Sequence, residues 1–555
     1  MKAPHLASVL LLVAVAASGQ QHHPDSHLDS PEQLGSVHFP TSCSTAAQPQ
    51  FDRAVALMHS FQFARAIQEF NSILAADPSC SMAWWGIALS NWGNPFAAGL
   101  KPQTQLDLGQ RAINQALDQA SAPTPKIAPK TGPKTERERA WIEAVAHLYT
   151  NTATVNQHAR MVAYEQAMAA LSAAYPDDTE AAIFYALSLA AAADPADKTY
   201  ADQLKAGAIL EKLFVQYPNH PGLAHYIIHT YDVPALADRA VNAAERYGTI
   251  APATPHALHM PSHTFTRIGN WQASIDTNIA SAASAHRADQ PPDELHASDY
   301  LVYAYLQTGQ DSAAQRTMQS AAEIFSRFDP KITIIGAGGP SAAYFARAAI
   351  PARYCLERGA WSDAAKLEAV PSSYPYTDAI TYFARGLGAA HVSDQPTAQA
   401  AITSLTEMHD KLTHSGENYW AFQVEIQRQE VAAWLAFALG NKEAALTGMR
   451  AAAEMEDKTE KNAVTPGPLA PARELLGELL LESNRPAEAL KEFEATLVKE
   501  PNRFRSLYGA AEAAKTTGDQ KTAQAHFEQL QKIIAHADQP GRPELAEIRK
   551  ATQQK

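Results

Sequence analysis

The 555-residue chain is predicted to be all-α, a solenoid of tandem helix-turn-helix units. Three observations predict it. The length far exceeds one compact domain, so it calls for several domains or one extended array. Alanine dominates, while glycine and β-branched residues are sparse, which is the alphabet of packed helices rather than strands. The sequence also repeats itself at a fixed step.

The step is read by laying segments over one another. Ala54, Leu57, Ala66, Phe70 and Pro78 recur as Gly477, Leu480, Ala489, Phe493 and Pro501, every pair 423 residues apart. A third copy places Ala511, Ala523 and Phe527 each 34 residues after Gly477, Ala489 and Phe493. A small residue in each helix lets paired helices approach, an aromatic fills the hole between hairpins, and proline ends the second helix. This pattern resembles the tetratricopeptide repeat (TPR), whose helical hairpins stack into a right-handed superhelix. Hairpins are expected from Ala47 and then near Cys80, Thr135, Thr179, Pro221, Pro255, Leu295, Phe345, Thr377, Gln427, Ala470 and Phe504, about eleven or twelve repeats.

Irregular segments divide the array. Residues 1–19 read as a signal peptide, with Lys2 ahead of an apolar run too short to span a bilayer, so an exported, periplasmic or secreted protein is expected. A lead-in follows over 20–46, then a TPR block over 47–120 and a Pro/Lys-rich linker over 121–134. A central block covers 135–327, an irregular insertion 328–344, a C-terminal block 345–537 and a tail 538–555. The phrases LGSVHFPTSC, DPSCSMAWWGIALS and PHALHMPSHTFTRIGNW are also similar to a group of large exported bacterial TPR proteins of uncharacterised function. That resemblance implies fold and export and adds nothing on activity.

Charge and cysteines narrow the partners. A formal charge of −13 excludes a phosphate-backbone binder, and no apolar run of membrane length follows Asp25, so neither nucleic acid nor a transmembrane segment in the mature chain is expected. Cys43 and Cys80 fall on neighbouring repeats, where an exported chain forms a disulfide or keeps two thiols. Cys355 reads as core.

The unusual chemistry lies between residues 221 and 309. His225 and His229 stand four apart, as do His259 and His263, and each residue of the first pair is 34 residues before its counterpart in the second. Spacing of i, i+4 puts both imidazoles of a pair on one helix face, and stacking sets the pairs side by side, roughly 10 Å apart at the backbone. Asp232, His256, His296, Asp299 and Tyr303 extend the row. In the TPR fold the second, fifth and ninth residues of the first helix line the concave groove. The resemblance therefore turns His256, His259 and His263, and likewise His296, Asp299 and Tyr303, into it. Pro261 threatens the helix that carries His259 and His263.

Three readings stay open. The row is a hydrogen-bonded polar lining. It is a groove for a peptide, protein partner or small polar ligand, using His256, His296, Asp299, Tyr303 and Arg353. Or it is a site for divalent zinc, copper or iron, using His225, His229, Asp232, His259 and His263. Catalysis has no motif: HYIIH and HMPSH lack the glutamate of HExxH, and neither a phosphate loop nor GxSxG occurs. Glu430, Trp434, Glu474 and Glu478 are expected on the same concave side.

Overall fold

The computed structural model describes residues 32–97, 99–120, 132–332 and 336–553. The signal peptide expected over 1–19 lies outside them, as does most of the linker, whose last residues instead begin the helix Gly132–Ala146. Among the described residues every regular element is helical, arranged as twelve successive hairpins and one closing helix. The chain is thus an all-α TPR-type solenoid.

The repeat residues do what their sizes require. Phe493 lies between Gly477 and Gly509, and a Cβ on Gly477 would stand only 2.8 Å from the ring. Phe70 packs in the same way on Gly86. Both phenylalanines are fully buried, so each ring seals one hairpin against the next. Proline in the first turn opens the helices Pro221–Thr230, Pro291–Gln307 and Pro340–Leu356, where its missing N–H costs nothing. These prolines start two helices four to five residues before the expected Leu295 and Phe345. A third, Asn418–Ala438, begins nine residues before Gln427. The helix at Pro340 begins within the segment expected to be irregular, 328–344. The expected tail carries a helix, Pro543–Gln553, which buries Leu545 and Ile548 and covers the last hairpin.

At the other end, Cys43 and Cys80 are joined, their Cα atoms 4.8 Å apart. Phe39 of the lead-in fills a nest of Phe51, Trp85 and Trp141. Cys355 is core: burial pushes its thiol up to about 11.

The superhelix closes across its own inner face. Leu100 N–H donates to Glu417 at 2.8 Å, Lys198 pairs with Glu460 at 2.7 Å, and the Trp271 indole donates to Asn502 O at 2.9 Å. Residues 457–471, between the helices Lys442–Glu456 and Ala472–Glu482, run through the middle. Lys461 reaches Asp232 at 3.0 Å and Arg353 holds Gly467 O at 3.0 Å. The middle of the concave face is therefore occupied by the chain's own segment 457–471 rather than open as a continuous groove.

Candidate metal centre

Helix Pro221–Thr230 supplies His225 and His229, and helix Pro291–Gln307 supplies His296. Pro261 does break the helix between them. One short helix runs Pro255–His259, a second Pro261–Arg267, with Met260 as the joint. The joint stays helical at φ −53°, ψ −36°, so His256, His259 and His263 remain on one side.

All six imidazoles are buried and they fall into two sets. Ligand-capable atoms of His225, His229 and His256 lie within 4.8 Å of one another, and so do those of His259, His263 and His296. Asp232, expected among the ligands, stands behind the second set. It accepts from His263 Nδ1–H at 2.9 Å, from Lys461 at 3.0 Å and from Arg267 at 2.8 Å. His256 and His296, expected to hold a groove ligand, complete the two sets instead.

Hydrogen bonds on the far ring atoms fix which nitrogen faces inward. Asn278 donates to Ser274 O at 2.7 Å, which turns its Oδ1 toward His259 Nδ1, 2.7 Å away. His259 and His263 thus both carry their proton on Nδ1, and their Nε2 atoms confront each other at 3.0 Å. His225 Nδ1–H donates to His59 O at 2.6 Å, leaving its Nε2 3.0 Å from that of His256. His229 Nε2 is buried without a partner. Two facing lone pairs repel unless a proton or a cation lies between them.

A proton is opposed by the surroundings. Burial, then the neighbouring imidazoles, holds His229, His256 and His259 well below the usual histidine range. Burial takes His225 and His296 down to about 3. His263 is lowered by burial too, although Asp232 works the other way. Burial would raise Asp232, yet Lys461 and Arg267 keep its carboxyl well below the carboxylate range. Its charge is already shared by two cations and does not make His263 a third.

The remaining predicted groove residues lie apart. Arg353 is fully buried, paired with Asp299 at 2.8 Å and bonded to Thr465 and to the carbonyls of Gly467 and Pro468. Tyr303 accepts from Arg503 at 3.2 Å, and Glu474 pairs with Arg503 at 2.8 Å. These groups face one another, and Arg353 holds 457–471 in place, so none is exposed to take a groove ligand.

Sequence reasoning missed several residues. Tyr300, four residues after His296, places its hydroxyl 3.3 Å from the His263 ring nitrogens. Only the i, i+4 step could have flagged it. His59, Glu180 and His220 form a buried network beside the first set: Glu180 receives His59 at 3.0 Å and His220 at 2.9 Å. His59 Nδ1 contacts the Tyr226 hydroxyl at 2.9 Å. Nothing in the sequence marks these partners: Glu180 and His220 are 40 residues apart, and His59 is more than a hundred from both Glu180 and Tyr226. Lys461 lies in a segment without repeat register.

No known protein family matches the sequence, and no curated protein does. Among solved structures, the crystal structure of the APC/C heterotetramer Cut9–Hcn1 aligns over 91% of this chain and 90% of that one, at 13% identity and a TM-score of 0.33. A monomeric IFIT1 mutant with m7Gppp-AAAA aligns over 89% and 96%, at 9% identity and a TM-score of 0.35. At those scores neither bears on function.

Proposed function

We propose that the chain is a metal-binding TPR protein, which holds a transition-metal ion between His259, His263 and His296. The observation that carries this reading is the 3.0 Å approach of the His259 and His263 Nε2 atoms, each on a ring whose Nδ1 proton is already committed. An ion between them turns a repulsion into two bonds. Asp232 behind His263 and Asn278 behind His259 are the outer partners that orient metal-bound imidazoles and raise their basicity. An all-imidazole inner set suits copper or zinc; iron sites more often include a carboxylate, and Asp232 is turned away. Three protein ligands leave a coordination position open, as in sites that act on a bound molecule.

A peptide occupant of the concave face would have to displace residues 457–471, which are tied down by Asp232, Tyr300 and Arg353. The metal reading needs no such displacement. Its test is metal analysis of protein purified without an affinity tag and then dialysed against copper or zinc. Wild type should retain stoichiometric metal that the His259→Ala/His263→Ala protein does not. Equal retention by both, or none by wild type, would overturn the reading.

A further inference from the structure

A single ion accounts for one set of histidines and leaves the other unexplained. His225 and His256 oppose their Nε2 atoms at the same 3.0 Å, with His225 Nδ1 committed to a backbone carbonyl and His229 Nε2 unpartnered. The two sets adjoin. Across the boundary the ring centres of His229 and His263 are 5.7 Å apart, edge to face, and those of His256 and His259 are 6.0 Å apart, closer to parallel. Two ions placed in the sets would be close enough to share one small ligand, as in two-metal sites, where the ions stand roughly 3.5–4 Å apart.

A cavity of about 320 Å³ opens onto this boundary. His229 and His256 line it from the first set, His263 and His296 from the second, so one molecule in the cavity faces both. Its walls otherwise mix apolar side chains such as Phe63, Trp420 and Val464 with polar ones, and carry one cation, Lys101, and one carboxylate, Glu417. The Trp420 indole N–H is buried without an acceptor.

Charge says what the cavity should admit. Six neutral imidazoles carry no charge to offset two metal ions, and Asp232 is already shared by Arg267 and Lys461. A buried site of that kind is stable only with an anion bound at the metals. We infer that the six histidines form a dinuclear copper or zinc centre, bridged by a small anion such as hydroxide that enters through this cavity. The inference rests on metal occupying the second set, as proposed above, and adds the second ion and the bridging ligand.

Copper(II) and azide are suitable probes. Wild type loaded with copper(II) should hold two ions per chain, and because a one-anion bridge couples their spins, its electron paramagnetic resonance signal should be nearly silent. His229→Ala should hold one ion and show the signal of an isolated copper(II), with the circular dichroism of the folded protein. Azide should shift the optical spectrum of wild type. Gly339 lines the cavity and has nothing within 4 Å of where a Cβ would stand, so Gly339→Leu has room to fold while occupying the cavity. It should keep two ions and respond to azide only at higher concentration.

A wild type that binds one ion, retained by His229→Ala and lost by His259→Ala/His263→Ala, would overturn the dinuclear centre and leave the single site standing. Two ions with independent spins would overturn the bridge. An unchanged azide response in Gly339→Leu would overturn the cavity as the route. Binding of no metal would remove both proposals.

Discussion

Two buried polar clusters share the inner face of this solenoid and are built on opposite terms. Around Arg353 and Arg503, opposite charges face each other: Arg353 meets Asp299 at 2.8 Å, and Arg503 meets Glu357 at 2.6 Å and Glu474 at 2.8 Å. Around the histidines, like faces like: imidazole nitrogens stand 3.0 Å apart in two places, and at His259–His263 both are acceptors. Burial is nearly complete in both. A buried cluster that answers its own charges needs nothing more, and its role is to hold the chain together. One that sets lone pair against lone pair is complete only with a cation.

The sharpest way to break this contrast is to cut each cluster and read both outcomes. Glu474→Ala leaves Arg503 with one fewer carboxylate in a dry interior and should cost about 3–5 kcal/mol in urea unfolding, with metal content unchanged. His259→Ala/His263→Ala should abolish metal at its set while costing the metal-free protein much less, because it also removes a repulsion. If Glu474→Ala lost metal as completely as the histidine variant, the two clusters would be one unit and the contrast would fall.

Asp232 ties the histidine cluster to the crossing segment, 457–471, through Lys461 and gives the next largest effect. Asp232→Asn keeps the volume and removes the charge that orients His263 and pairs with Arg267 and Lys461. Metal affinity should fall about 10–100-fold, read by competition with a chelator. A conserved affinity would mean that His263 is held by its packing alone.

Acid should act with opposite signs on the histidines and on Glu456, a buried carboxyl that accepts from Ala472 N–H just beyond the crossing segment. For His225 and His296 the folded pKa, about 3, lies below the ordinary 6.5. Between those values the unfolded chain binds more protons, so their contribution is whole above pH 6.5 and drains away as pH falls toward 3. Glu456, pushed by burial up to about 7 from 4.5, runs the other way: its contribution is present below pH 4.5 and is lost as pH rises through about 7. Metal-free protein should therefore lose stability on acidification below pH 6.5, by up to about 1.36 kcal/mol per pH unit for each proton taken up. Glu456→Gln removes the opposing slope and should steepen that loss between pH 7 and 4.5. A loss of stability that does not steepen would show that Glu456 is ionised in the folded chain.

Much of this was legible before any coordinates. Phe70, Phe493 and Phe527 in register gave the hairpins, and the equal spacing of His225–His259 and His229–His263 put two pairs on neighbouring helices. The repeat fixes angular position well and depth poorly. Tyr303 is seven residues beyond His296, about two turns or 10 Å along the axis, and so belongs to the arginine cluster rather than the histidine one. Closure was invisible for a different reason. Residues 457–471 have no repeat register, and the contacts of Lys461 with Asp232 and of His59 with His225 join residues more than 160 apart. Periodicity reports neighbours in the stack and is silent on what crosses it.

Tyr300 offers the smallest and finest test, because its hydroxyl stands where the two clusters meet. It lies 3.2 Å from the carbonyls of Ala463 and Thr465 in the crossing segment and 3.3 Å from the His263 ring nitrogens. A hydroxyl has one proton. His263 Nδ1 already donates to Asp232 and its Nε2 faces His259 at 3.0 Å, so the geometry gives the Tyr300 proton to the carbonyls, at the shorter distance. Tyr300→Phe should then cost about 0.5–1.5 kcal/mol through the loss of that bond, with metal affinity within a factor of two or so of wild type. A large fall in affinity at unchanged stability would reverse the assignment: the hydroxyl would belong to the metal centre, and the crossing segment would be held by Lys461 and Arg353 without it.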